Sequence, residues 1–228
     1  MTRARARRPL LMALLGLALS GCASIVADAP ARQWYVLRDL ASSTRVSTVP
    51  IERALLVESV ASSAFHDASA FAYSRAPGTR AHYQFAGWVD RPSRRIGALL
   101  ERRLAERGRF VSVGHATSGL KGDLLLRLTL EDAYHDLAAT PATARFVVAA
   151  ELIDWRARTL IGRRLFDVRA GVDGNDAPSA AAAFDRAVTV LLGEIAEWTE
   201  SAADPPPGRA SGGPARGSRG APGAIPGA

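Results

Sequence analysis

The 228-residue chain has one cysteine, four histidines and no apolar run long enough to cross a bilayer, and each shortage closes off a class of function. A single cysteine forms no internal disulfide. The histidines at 66, 82, 115 and 135 show no i,i+4 pair, so nothing in the spacing holds a metal ion, and neither metal nor cofactor is expected. The G-x-S-x-G turn that lifts a serine nucleophile out of a sheet does not occur. His66 and His135 are each followed by an aspartate, Asp67 and Asp136. Neighbours along a strand point to opposite faces, so neither pair is a base with its orienting carboxylate. The stretch "GHATSGLKG", residues 114–122, has the glycines of a phosphate loop, but Leu120 stands where lysine is needed and no hydroxyl follows Lys121; it reads as a turn. No catalytic residue is expected.

The charge is equally unhelpful to a nucleic-acid reading. Of the net +7, four charges come from Arg3, Arg5, Arg7 and Arg8, and two from residues 201–228, where Arg209, Arg216 and Arg219 face only Asp204; this leaves +1 for residues 22–200. A nearly neutral domain offers no stripe to track a phosphate backbone.

What is present begins with the N-terminus. Basic "MTRARARRP" is followed by apolar "LLMALLGLAL" and then small residues up to Cys22. That order is the layout of a secretory signal, and about ten apolar residues are roughly half of a membrane-spanning helix. The last four residues, Leu19-Ser20-Gly21-Cys22, resemble the lipobox of bacterial lipoproteins. The resemblance implies a diacylglycerol thioether on Cys22, cleavage before it and acylation of the new amino group. Several acyl chains, at about 0.8 kcal/mol per buried CH₂, make such an anchor effectively permanent. By the sorting rule of enterobacterial lipoproteins, Ala23 implies the periplasmic face of the outer membrane, with the inner membrane as the other address.

The expected organisation is then a signal peptide over 1–21, a lipidated tether over 22–33, one domain over 34–200 and a tail over 201–228. The tether reaches at most roughly 40 Å at 3.5 Å per residue. The tail, "SAADPPPGRASGGPARGSRGAPGAIPGA", has Ile225 as its only large apolar residue and is expected to be disordered. Within the domain, short strands are expected from Trp34 and over 54–63. A hairpin is expected with arms near 71–74 and 82–85 about Pro77-Gly78. Ile96, Leu99, Leu100 and Leu104 recur at helical spacing, with Asp90 or Ser93 as candidate cap, Pro92 in the first turn and Gly108 as the stop.

A short strand "FVSVG" follows. Leu124, Leu126, Leu128 and Leu130, then Phe146, Val148, Ala150 and Leu152, then Phe166 and Val168, mark three strands of period two, most economically an antiparallel meander. A closing helix carries Phe184, Val188, Leu191, Ile195 and Trp198 on one face, capped by Asp176. The sum is an α+β or mixed α/β single domain, with one largely antiparallel sheet and two amphipathic helices on one face. Tyr73, Tyr83, Phe85 and Trp88 cluster about the hairpin, either as core or as a contact for an apolar partner or lipid.

These residues together resemble the ABC-type transport auxiliary lipoproteins, a family that includes the lipoprotein of the paraquat-inducible intermembrane transport system. The likeness is carried by Trp34-Tyr35-Val36-Leu37, by "LLVESVASSAF" and by Ala72-Tyr73-Ser74-Arg75. It continues through Tyr83, Trp88, Pro92 and the leucines from 99 to 104, and ends on Gly108-Arg109-Phe110. It spans residues 34–200. It implies a periplasmic accessory that docks a mammalian-cell-entry (MCE) domain protein of a lipid or hydrophobe transporter, with an ABC permease and ATPase as further partners and a homo-oligomer left open. A structural or assembly lipoprotein of the envelope, and a lipoprotein hydrolase, are the alternative classes.

Overall fold

The computed structural model describes residues 30–42 and 49–204. Cys22, the signal and the tail beyond Asp204 lie outside the described residues. The elements run β1 (Gln33–Tyr35), β2 (Ile51–Ala61), β3 (Ala70–Ser74), β4 (Ala81–Trp88), α1 (Pro92–Arg107), β5 (Phe110–His115), β6 (Leu124–Asp136), β7 (Thr143–Asp154), β8 (Thr159–Gly171) and α2 (Ala177–Ala203). They form a mixed α/β domain with one eight-stranded sheet and two helices. β6 is its hub: β7 pairs along one side, while β2 and then β3 share the other.

The β6–β7–β8 meander is antiparallel throughout, as the alternation of leucines with polar residues predicts, and its two ladders are the longest in the sheet. The rest differs from a largely antiparallel plan. Four of the seven pairings are parallel, namely β1 with β4, β2 with β5, β2 with β6 and β3 with β6. The reason is connectivity: a whole hairpin and α1 separate β2 from β5, a crossover long enough to return the chain in the same direction.

Both helices pack on one face, α1 over β2 and β5 and α2 over β7 and β8. Leu99, Leu100 and Leu104 of α1 and Val188, Leu191 and Ile195 of α2 are fully buried there, at the positions their spacing assigns. Gly108 ends α1 in a left-handed conformation (φ 66°) that a side chain would resist. Asp176 caps α2 by accepting the Ser179 N–H at 2.8 Å. The start of α1 is the correction. Its N-cap is Arg91, Pro92 is the first helical residue, and neither Asp90 nor Ser93 caps it. Pro92 favours an extended residue before it, and Arg91 at φ −58°, ψ 129° takes that conformation; this moves the helix start past Asp90.

The segment after β1 is clamped between the helices. Leu37 is buried, its carbonyl accepts Arg95 Nε at 2.9 Å, and Arg38 donates to Asp185 of α2 from its backbone N at 2.9 Å and its Nε at 2.8 Å. Asp39 pairs with Arg103, which also donates to the Thr189 carbonyl at 2.9 Å. Farther along, Arg107 makes a two-point pair with Glu200 at 2.6 and 2.7 Å. The N-terminal segment is thus fixed to the helical layer.

Candidate functional site

The aromatic residues singled out by sequence divide on burial. Trp88 is 3% exposed and stacks 4.5 Å from Phe71, with Phe184 5.3 Å away. It belongs to the core, so it is not free to touch a partner in this arrangement. Tyr73 and Tyr83 are half-buried, 4.8 Å apart, and keep one edge at the surface; Phe85 is exposed.

The histidines are not paired with the aspartates beside them. Asp67 bonds to Arg91 at 2.8 Å, whereas His66 Nε2 lies 3.6 Å from Asp132, whose carboxylate is held by Arg80 at 2.5 Å. His135 is fully buried on the helical side. Its Nδ1 lies 2.8 Å from the Tyr83 hydroxyl, and its Nε2 has no partner among the described residues. Neither ring is bonded to a serine or threonine hydroxyl among the described residues, so no nucleophile is activated by them. No group of three or more His, Cys, Asp or Glu among the described residues is placed to hold a metal ion.

Burial pushes the titration of both imidazoles below the ordinary histidine value. At His66 this outweighs the opposing carboxylate of Asp132, and at His135 those of Asp136 and Asp176. Tyr83 is pushed up to about 12, again chiefly by burial. An unfolded chain binds these histidine protons near 6.5, while the folded one binds them only at lower pH. In that interval the unfolded state carries more protons, so stability falls as pH drops below about 6.5. Asp154, Asp167 and Asp176 are held below the usual carboxylate value of 3.8 and remain charged at pH 5. Denaturant midpoints taken from pH 7.5 to 5 should therefore decline, and the His66→Gln, His135→Gln double variant should show a flatter profile. An unchanged slope would assign the loss to other groups.

The surface with the most organised chemistry is the sheet face opposite the helices. Registry places Glu58, Arg127, Glu151 and Arg163 side by side across β2, β6, β7 and β8. Their charges alternate, with Arg127 donating to Glu58 at 2.6 Å and Arg163 lying 3.6 Å from Glu151. Apolar rows flank this ladder. Val60, Thr129, Ala149 and Leu165 lie on one side, and Leu56, Leu125, Ile153 and Leu160 on the other. Leu160 and Leu165 are 59% and 62% exposed, while Leu125 and Ala149 at the centre are covered by their neighbours.

A second polar row lies beyond. Arg80 stacks 3.6 Å above the Tyr134 ring, Arg145 donates to the Tyr134 hydroxyl at 3.0 Å, and Arg145 also forks onto Asp167 at 2.8 and 2.7 Å. Through Asp132 this row reaches His66. Among the described residues, both helices lie on the other side of the sheet and none packs here. This face therefore sets exposed leucines among charges already oriented by their neighbours.

The fold is a two-layer α/β domain with one sheet face on which, among the described residues, no helix packs. The chain belongs to the family of ABC-type transport auxiliary lipoprotein components, whose model matches residues 35–196. That is a transport auxiliary family and not a known enzyme family. Among solved structures, the chain is similar to protein XCC0632 from Xanthomonas campestris, described with the family model DUF330. The match has 20% identity, covers 75% of this chain and 95% of that one, and has a TM-score of 0.66. A second crystal structure, of an uncharacterized protein, matches at 14% identity over 74% of this chain and 98% of that one, with a TM-score of 0.58. These likenesses establish the fold. No curated protein matches the chain.

Proposed function

We propose that this auxiliary lipoprotein is anchored through Cys22 at the periplasmic face of the outer membrane and docks the MCE-domain protein of a lipid or hydrophobe transporter through the uncovered face of its sheet. The observation that carries the reading is the charge ladder Glu58–Arg127–Glu151–Arg163 bordered by exposed Leu160 and Leu165. In a docked complex the leucines supply apolar area at about 25 cal/mol per Å² buried. The pre-paired charges fix register without leaving a lone ion desolvated. Among the described residues no helix is long and apolar enough to cross a membrane. In this reading ATP hydrolysis and passage through the inner membrane belong to the ATPase and permease, and this domain aligns the partner assembly at its membrane.

Capture from detergent-solubilised envelope tests the reading. The full-length lipoprotein should retain an MCE-domain protein, and Leu165→Arg should reduce that capture at least tenfold. Because Leu165 is largely exposed, the variant should melt within a degree or two of the parent. Undiminished capture by the variant would remove the sheet face as the docking surface, and no capture by the parent would remove the docking proposal itself.

A further inference from the structure

The start of α1 opens into a cleft of about 560 Å³ that is separate from the uncovered face's charge ladder. It sits beyond the carboxyl ends of two parallel strands, with Ser59, Val60 and Ala61 closing β2 and His115 closing β5. Ligands of open α/β sheets are held in crevices of this kind. Gly97 lets the helix descend there, since a Cβ at that position would stand 2.7 Å from Ser59 Cβ, and Ser59 Oγ donates to the Ser93 carbonyl at 2.7 Å.

The helix end is left open on every count. Arg91 at the N-cap offers no side-chain acceptor, Pro92 has no N–H, and the first turn holds no acidic residue. The N–H groups of Ser93 and Arg94 have no acceptor among the described residues. A second observation points the same way. Ser93 lines the cleft and is only 3% exposed; its carbonyl is taken by Ser59 Oγ, while its hydroxyl makes no hydrogen bond among the described residues and is left to the cleft. Arg94 also lines the cleft, with no ion pair among the described residues, while Arg91 shares its charge with Asp67, the one acidic residue of the lining. His115 also lines the cleft, its Nδ1 lying 2.8 Å from the Thr117 hydroxyl and 3.2 Å from the Thr117 backbone N.

We propose that this cleft binds a tetrahedral oxyanion of the phosphate class, either a free phosphate or the phosphodiester of a lipid headgroup. The backbone N–H groups of Ser93 and Arg94 and the Ser93 hydroxyl supply directional donors. The helix dipole and Arg94 supply the charge, and Arg91 screens Asp67. The proposal is independent of the partner assigned above, because it concerns donors at the edge of the sheet rather than the ladder on its face.

The full-length protein in neutral maltoside micelles is titrated calorimetrically, in separate arms, with inorganic phosphate and with dihexanoyl phosphatidylglycerol. At least one arm should show saturable binding that weakens at least tenfold in Arg94→Glu. Glutamate at the third helical position complements the dipole, so this variant should melt no lower than the parent, and lost binding is then not lost fold. Binding in the first arm identifies a free anion, and binding in the second alone identifies a headgroup. Absence of binding in both arms would overturn the proposal. So would binding that Arg94→Glu leaves unchanged, which would place the anion elsewhere, such as on the arginines of the C-terminal tail.

Discussion

Cys22→Ser is expected to leave the chain as an unprocessed precursor that takes up no palmitate. A serine hydroxyl at neutral pH lacks the thiolate character that makes cysteine a nucleophile, so the thioether does not form. By the lipobox resemblance, cleavage then fails because it follows lipid attachment. The effect is close to all-or-none, since anchoring rests on acyl chains worth about 0.8 kcal/mol per buried CH₂ rather than on the near-neutral domain. Palmitate labelling and the mobility of the protein on a gel measure it, and normal labelling of the serine variant would end the anchoring proposal.

Phe184→Ala should destabilise the domain by about 3 to 5 kcal/mol. Phe184 is buried at the meeting point of the two layers, with Phe146 at 5.0 Å, Trp88 at 5.3 Å and Phe71 at 5.4 Å. Truncation removes the ring and opens a cavity that α2, tied through Asp185 to Arg38 and through Glu200 to Arg107, cannot easily collapse. Val190, half-exposed on the same helix, gives the contrast: Val190→Ala should shift the denaturation midpoint by under about 0.5 kcal/mol equivalent, since alanine is the better helix former. Equal losses for the two variants would show that α2 does not present its Phe184 face to the sheet.

The elements themselves were legible because their signals are local. Leu124 to Leu130 and Phe146 to Leu152 alternate in and out within each strand, and Ile96, Leu99, Leu100 and Leu104 share a helix face, so periodicity alone assigns them. Asp176 is legible as a cap for the same reason. The start of α1 was not, because two polar candidates lay on either side of Pro92 and the backbone chose neither. The parallel pairings also escaped, since nothing within "ALLVES" says that β5 and β6 will flank it.

The candidate site suffers most from this. Arg127 in "LLLRLTL" and Glu151 in "AELID" are ordinary outward residues until the register sets them between Glu58 and Arg163. His66 likewise meets Asp132 and Arg80 only through the folded sheet, although its sequence neighbour is Asp67. The aromatic cluster was visible as a cluster, but its division into a buried Trp88 and half-exposed tyrosines depends on α2 arriving over it.

Recognition through the uncovered sheet face can be read by site-directed photocrosslinking in the intact envelope. A photoreactive residue is placed at position 165 on that face and, separately, at position 190 on the outer side of α2. Docking through the sheet should give a crosslink to an MCE-domain protein from position 165 and none from position 190. A crosslink to that protein from position 190 alone would contradict it.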